Sequence, residues 1–269
     1  MTSPAVRPDL PRDAGSLPPL PESFGTTLDA GLAALGLEFA PEARRAIDIH
    51  VRLLLAWNEA INLTSITEPA AVASRHVLDS LAAVPLVSGA GAATPVRTVM
   101  RVVDIGSGGG FPGLPLAAAI PAARATLVDS TAKKARFLEV ASAAMGLRDR
   151  VVVRAERAEA LATGAAGRGA GGWDLVTARA VGRLDELVEL AMPLLRTGGR
   201  LLAWKRGDIE DELAAAGRAA RTLGAGAPAL HPLTGIPDLE GHRIVEIVKL
   251  RPTPPGYPRD PARRKGRPW

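Results

Sequence analysis

No cysteine occurs among the 269 residues, which excludes disulfides, thiolate zinc sites and cysteine nucleophiles and suits a reducing compartment. Aromatic residues make up only 3% of the chain, so base stacking is limited to a few side chains, with Trp57, Phe111 and Trp204 as candidates. His50, His231 and His242 lack metal-ligand spacing and read as ordinary surface or core residues, so no metal is expected. No acid–base dyad stands out. No segment reads as long and apolar enough to cross a membrane, and the Pro-rich first 24 residues lack the apolar core of a signal peptide. A soluble cytoplasmic protein is expected.

What is present suffices for a large core, since 47% of the residues are hydrophobic. The formal net charge of +5 sits entirely in the last stretch, where Arg251, Arg259, Arg263, Arg264, Lys265 and Arg267 face only Asp260. Residues 251–269 are therefore expected to form a basic disordered tail that either touches RNA phosphates nonspecifically or keeps the protein soluble. Residues 1–24 read as a disordered leader. Residues 25–95 read as a helical cap, with helices over 26–37, 41–57 and about 69–84 and a Gly/Ala-rich connector at 87–95. In the second helix Ile47, Val51, Leu54 and Leu55 recur at helical spacing. From 96 to 250 strands alternate with helices, as a parallel α/β sheet requires. The strands fall at about 101–105, 125–129, 150–154, 173–178, 200–205 and 243–250, the helices at 131–145, 184–195 and 208–223. Residues 164–172 read as a flexible surface loop.

Residues 101–113, Arg-Val-Val-Asp-Ile-Gly-Ser-Gly-Gly-Gly-Phe-Pro-Gly, organise the rest. An apolar β-branched run breaks into glycines, which turn tightly and allow close backbone approach to a ligand. A helix follows. Gly108, Gly110 and Gly113 match the dinucleotide pattern G-x-G-x-x-G, but the strand ends at Ile105, and counted from Gly106 the third glycine position is Phe111. Asp104, two before Gly106, would repel a diphosphate and favours a cationic ligand such as S-adenosylmethionine. Asp129 closes the next strand 23 positions after Gly106, near the spacing of a ribose-binding carboxylate. Both cofactor readings use it, and an acid opening the next helix is its structural alternative.

By these residues the chain resembles the bacterial small-subunit ribosomal RNA methyltransferase G family, also called glucose-inhibited division protein B. The matching blocks are Trp57-Asn58 with Asn62-Leu63-Thr64, Arg75-His76 with Asp79-Ser80, Asp104 to Pro115, Leu127 to Ser130 with Lys133 to Leu138, Thr177 to Ala180, and Ala203 to Gly207. The resemblance implies an α/β fold, a class I S-adenosylmethionine-dependent methyltransferase with a Rossmann-like seven-stranded sheet, its last strand antiparallel, and an N-terminal helical cap. It implies methyl transfer to N7 of one guanine in 16S rRNA, with the small ribosomal subunit or its assembly intermediate as partner; a monomer is expected, though no residue pattern fixes the oligomeric state. Family cofactor contacts carry onto Gly106, Phe111, the Ala158-Glu159 pair and Arg179, with Asp129 at the ribose, beside Asp104 and Gly108 of the motif.

Guanine N7 needs no deprotonation, so catalysis is expected to rest on positioning, with Arg179 as the residue that positions the target nucleotide or the cofactor. Asn62, Arg75 and His76 of the cap, and Lys133, Arg136 and Lys205 near strand ends, are candidate RNA contacts. Structural roles compete: Asn62 can cap the turn through Thr64, and Asp79 can pair with Arg75 one helical turn earlier. A small-molecule methyltransferase and a Rossmann-type nucleotide-binding or redox protein are the other readings.

Overall fold

Val102, Val103 and Ile105 lie in β1 (Met100–Ile105), the strand about which the molecule is laid out in a computed structural model that describes residues 10–88, 99–163 and 172–269. Parallel neighbours β2 (Ala123–Val128) and β4 (Trp173–Arg179) flank it, and β3 (Val151–Arg154) and β5 (Leu195–Arg206) extend the sheet on either side. After β5, strands β7 (His242–Val248) and β6 (Ala229–Pro232) run antiparallel to their neighbours, giving the order β3-β2-β1-β4-β5-β7-β6. This is the seven-stranded sheet that the resemblance implies. The expected strand list omitted β6, whose largely exposed Ala-Leu-His-Pro sequence gives no alternating pattern; an edge strand tolerates its proline.

Helices α1 (Glu22–Ala34) and α2 (Pro41–Ile61) precede a continuous helical run made of α3 (Pro69–Val72), a π-helical turn at Ala73–Leu78, α4 (Asp79–Leu81) and α5 (Val84–Ser88). On one face of the sheet these cap helices join α6 (Gly113–Ala119) and α7 (Ala132–Ala144). The other face carries α8 (Ala158–Thr163), α9 (Leu184–Ala191) and α10 (Glu210–Leu223). Alternation along β1 feeds both layers: Val102 faces the cap side, Val103 and Ile105 the other. Trp57 of the cap shares a core with Phe111, Leu114 and Phe137, so cap and sheet face are one packing unit.

Three expectations need correction. The run Pro69–Ser88 is, by length and composition, apolar enough to cross a membrane, but 67% of its most apolar stretch is buried within the protein. The second half of the leader is ordered: Trp57 Nε1 donates to the Pro11 carbonyl at 2.8 Å, and Arg52 donates to the carbonyls of Ala14, Leu17 and Pro18. Residues 1–9 lie outside the described residues, as do most of the 87–95 connector and of the 164–172 loop. The 251–269 tail is also ordered, because a buried carboxylate recruits it. Glu189 of α9, with a fully buried side chain, accepts from Arg259 Nε and Nη2 and from Trp269 Nε1. The chain then forms α11 (Pro261–Gly266), with Asp260 as N-cap.

Candidate active site

The carboxyl ends of β1, β2 and β3 lie abreast, Ile105 opposite Val128 and Val128 opposite Arg154, so the loops that follow share one edge. Gly106 and Ser107 both donate to the Val128 carbonyl, folding the glycine loop over the end of β2. Gly106 has φ +71, and a Cβ there would stand 2.4 Å from Val181 Cγ2, so only glycine fits. Gly108 N–H donates to Asp129 Oδ2 at 3.0 Å, and Asp129 Oδ1 accepts from Thr131 N–H at 2.8 Å. Asp129 therefore ties loop and helix start together and still has spare lone pairs.

Asp104 does not line this edge. It is completely buried and sits opposite Thr177 in the parallel register, so the two side chains share a face. Thr177 Oγ1 donates to Asp104 Oδ1 at 2.7 Å and Gly113 N–H to Oδ2 at 3.2 Å, which makes Asp104 a brace behind the loop. The expectation that it meets a cationic ligand is corrected accordingly. Burial pushes its pKa up to about 6, against the lowering effect of the hydrogen bonds from Thr177, Ser107 and Gly113.

Two residues past Thr177, and so on the same face, Arg179 reaches the cap. Its Nη1 donates to Asp79 Oδ2 at 3.0 Å and to the Arg75 carbonyl at 2.9 Å, and Nη2 lies 3.1 Å from His76 Nδ1. Guanidinium nitrogens only donate, so Nδ1 accepts, the 3.2 Å approach of Nδ1 to the Arg75 carbonyl is not a hydrogen bond, and Nε2–H donates to Thr64 Oγ1 at 2.7 Å. That tautomer requires a neutral ring. Burial first, then the Arg179 charge, lower the His76 pKa to about 3. His50 donates from Nε2 to the Gly109 carbonyl at 2.8 Å and is lowered to about 4, chiefly by burial.

Phe111 packs between these two imidazoles, 4.6 Å from His50 and 4.7 Å from His76, with the Arg179 guanidinium carbon 5.2 Å from its ring centre. Arg75 and His76 lie in the π-helical turn, a distortion frequent at functional sites. Asp79 does not pair with Arg75. It meets Arg179 and His242, while its carbonyl accepts from Trp204 Nε1 at 2.7 Å; Arg75 instead lies 4.0 Å from Asp238.

The remaining candidates divide. Ala158 and Glu159 open α8 beyond β3, on the same edge as the loop. Lys133 and Arg136 are exposed at the start of α7. Asn62 ends α2 at φ +52 with an exposed side chain; the Thr64 N–H goes to Asn58 Oδ1, so the expected Asn62 cap is corrected. Lys205 is not free for RNA, because its ammonium pairs with Glu212 at 2.6 Å and donates to the Gly182 carbonyl at 2.9 Å. Thr177, His50 and His242 were not expected in this framework. Neither Thr177, placed opposite Asp104 by a strand pairing 73 residues away, nor the histidines gave a local signal.

Residues 43–234 match the family GidB, described as rRNA small subunit methyltransferase G. A "Ribosomal RNA small subunit methyltransferase G" of Roseiflexus castenholzii is 45% identical over 206 residues, covering 77% of this chain and 83% of that one. The protein of the same name from Bacillus subtilis is 36% identical over 233 residues, covering 86% and 93%. Among solved structures, an O-methyltransferase from Bacillus cereus in complex with SAH superposes with a TM-score of 0.54 at 14% identity, covering 84% of this chain and 100% of that one, a likeness of fold. With the family match running from α2 of the cap through the glycine loop to β6, this chain belongs to the rRNA small subunit methyltransferase G family.

Proposed function

We propose that this protein transfers a methyl group from S-adenosylmethionine to N7 of one guanine in 16S rRNA, acting in the cytoplasm on the small ribosomal subunit or its assembly intermediate. The observation that carries this reading is the family match over residues 43–234. The residues fit the cofactor. On its open side a Cβ at Gly108 would meet nothing nearer than the Gly106 carbonyl at 3.8 Å, which leaves room for a ligand against the backbone. Asp129, 8% exposed beside Gly108, offers a carboxylate to ribose hydroxyls. Gly106, Gly108, Phe111, Asp129, Ala158, Glu159 and Arg179 would hold the cofactor, with Asp104 bracing the loop from behind.

Bound S-adenosylmethionine supplies an electrophilic methyl group. Guanine N7 offers an in-plane lone pair, so no side chain has to take a proton, and the chain's contribution is orientation, worth roughly 7–11 kcal/mol when complete. Arg179, held by Asp79, His76 and the Arg75 carbonyl, presents a fixed cation suited to guanine O6 or to the cofactor carboxylate. The depressed pKa values of His50 and His76 keep both rings neutral, so no further positive charge develops around Phe111. Exposed Lys133 and Arg136 suit RNA phosphates.

The test is transfer of labelled methyl from S-adenosylmethionine to small subunits purified from cells lacking this gene, followed by mapping of the base. Label at a single 16S guanine N7 supports the proposal. Cofactor binding with no labelled RNA would instead favour a small-molecule methyltransferase.

A further inference from the structure

The C-terminal segment lies beyond the family match, which ends at residue 234, yet it is fastened to the sheet at several points. Arg259 clamps Glu189 of α9, and its guanidinium carbon lies 4.6 Å from the Trp269 ring centre. Tyr257 stacks on Trp269 at 5.9 Å, and Arg218 of α10 donates to the Trp269 carbonyl at 2.9 Å. These contacts hold α11 across α9 and α10. From α11 one side chain points back to the carboxyl edge: Arg264, only 9% exposed, donates from Nη2 to Glu159 Oε1 in the first turn of α8.

Burying a guanidinium is costly unless an opposite charge meets it. Among the described residues Arg264 Nη1 is buried with no hydrogen-bond partner, and Glu159 compensates the guanidinium through Nη2. The pair is thus strongly coupled, and moving either member disturbs the other. Burial raises the Glu159 pKa, and the Arg264 hydrogen bond, a backbone hydrogen bond and the charges of Arg264 and Arg157 together outweigh it, leaving the carboxyl below its usual range. Helix α8 has only six residues and leaves the edge where β1, β2 and β3 end abreast. So short an element depends on tertiary contacts for its direction.

We infer that Arg264 is a positioning residue for the cofactor pocket: the C-terminal segment forms a strap, and its Arg264–Glu159 ion pair fixes the Ala158-Glu159 turn against which the cofactor rests. The inference rests on the reading above that this turn touches S-adenosylmethionine. It gives the basic residues of the segment two different tasks. Arg259 and Arg264 are spent inside the molecule, while Arg263, Lys265 and Arg267 remain exposed.

The experiment titrates S-adenosylmethionine into the full chain by calorimetry, for the wild type, Arg264→Gln, Arg264→Lys, Glu159→Gln and the Arg264→Gln/Glu159→Gln double variant. Circular dichroism checks the fold, and Lys265→Ala serves as control. Arg264→Gln should weaken binding about tenfold, with Arg264→Lys recovering part of it, and the double variant should be no weaker than Glu159→Gln alone. In turnover, KM for the cofactor should rise about tenfold in Arg264→Gln while kcat at saturating cofactor stays put, a split that general loss of structure does not give. Wild-type affinity in Arg264→Gln overturns the inference. Should that variant fail to fold, Arg264→Lys decides alone, and unchanged affinity there overturns it. A wild-type chain that binds no cofactor overturns both this inference and the reading beneath it, and is told apart because the first titration is already silent.

Discussion

Asp79 Oδ2 accepts from Arg179 Nη1 at 3.0 Å, joining a cap helix to the end of β4 across 100 positions of sequence, while Asp79 Oδ1 accepts from His242 Nδ1 at 3.1 Å. The carboxylate is almost completely buried and serves two strands at once. Asp79→Ala should therefore lower stability by about 3 kcal/mol, since it leaves the Arg179 charge without its partner. Chemical denaturation checks this, and a loss below about 1 kcal/mol would remove Asp79 as a hub.

Arg179→Ala should behave differently. It leaves the buried Asp79 carboxylate with His242 as its remaining partner, so some stability is lost but the protein should stay folded, and methyl transfer should fall about a hundredfold or more, as expected when reacting groups lose their alignment. A folded variant with wild-type turnover would sink the positioning role. Asp79→Asn should lie between, with activity reduced more than stability.

Acid should destabilise the protein before its surface carboxylates titrate. For His50 and His76 the folded values, about 4 and about 3, lie below the unfolded 6.5. The unfolded chain then binds protons that the folded chain refuses, so this stability is complete above pH 6.5 and declines as pH falls. Asp104 has the opposite sign: its folded value of about 6 exceeds the unfolded 3.8, so acidification from 6 to 3.8 favours the folded state. Two histidines outweigh one aspartate, leaving a net loss of about 1.4 kcal/mol per pH unit between pH 6 and 4. Urea titrations at pH 7, 5.5 and 4.5 measure it, and a flat profile would contradict buried neutral histidines.

Gly106→Ala should destabilise by about 1–3 kcal/mol, because its Cβ would press on Val181 and the left-handed φ disfavours any side chain. Cofactor binding should fall with it. Gly146→Ala is the control, since φ is +74 there as well but no atom lies within 4 Å of the added methyl. Equal losses in the two variants would mean that backbone strain alone matters.

If exposed cations at the start of α7 meet RNA, replacing Lys133 and Arg136 by Ala should reduce the log–log salt slope of RNA binding by about one to two. Lys205→Ala should leave the slope unchanged and lower the melting temperature, because its ammonium holds Glu212 and the Gly182 carbonyl. An unchanged slope in the double variant would move the RNA contact elsewhere.

The glycine loop and the alternation of strands and helices were legible because they depend on local pattern, apolar runs, turn glycines and spacing, whereas the antiparallel ending came from the family resemblance, since local pattern does not show strand order. What stayed hidden depends on register. Asp104 looked like a ligand group because its strand-end position was visible, whereas Thr177 opposite it, 73 residues later, was not. The tail's basic composition suggested disorder. A single buried glutamate, Glu189, reverses that expectation by accepting Arg259 and Trp269, and nothing in a window around either segment announces the pairing. Lys205 likewise reads as a free cation until Glu212 is seen beside it.

The double attachment of Asp79 also sets an order in time. Its partner His242 lies 163 positions further along the chain, so at a synthesis rate of about 5–20 residues per second the cap waits roughly 8–30 seconds for the strand that completes its anchor. During that interval the apolar face formed by Ile47, Leu54 and Trp57 has α6 and α7 to lie on, but not the β7 end that secures the cap. The second half of the Asp79 anchor is thus made only near the end of synthesis, and a chain cut short before residue 242 leaves Asp79 without one of the partners that compensate its charge.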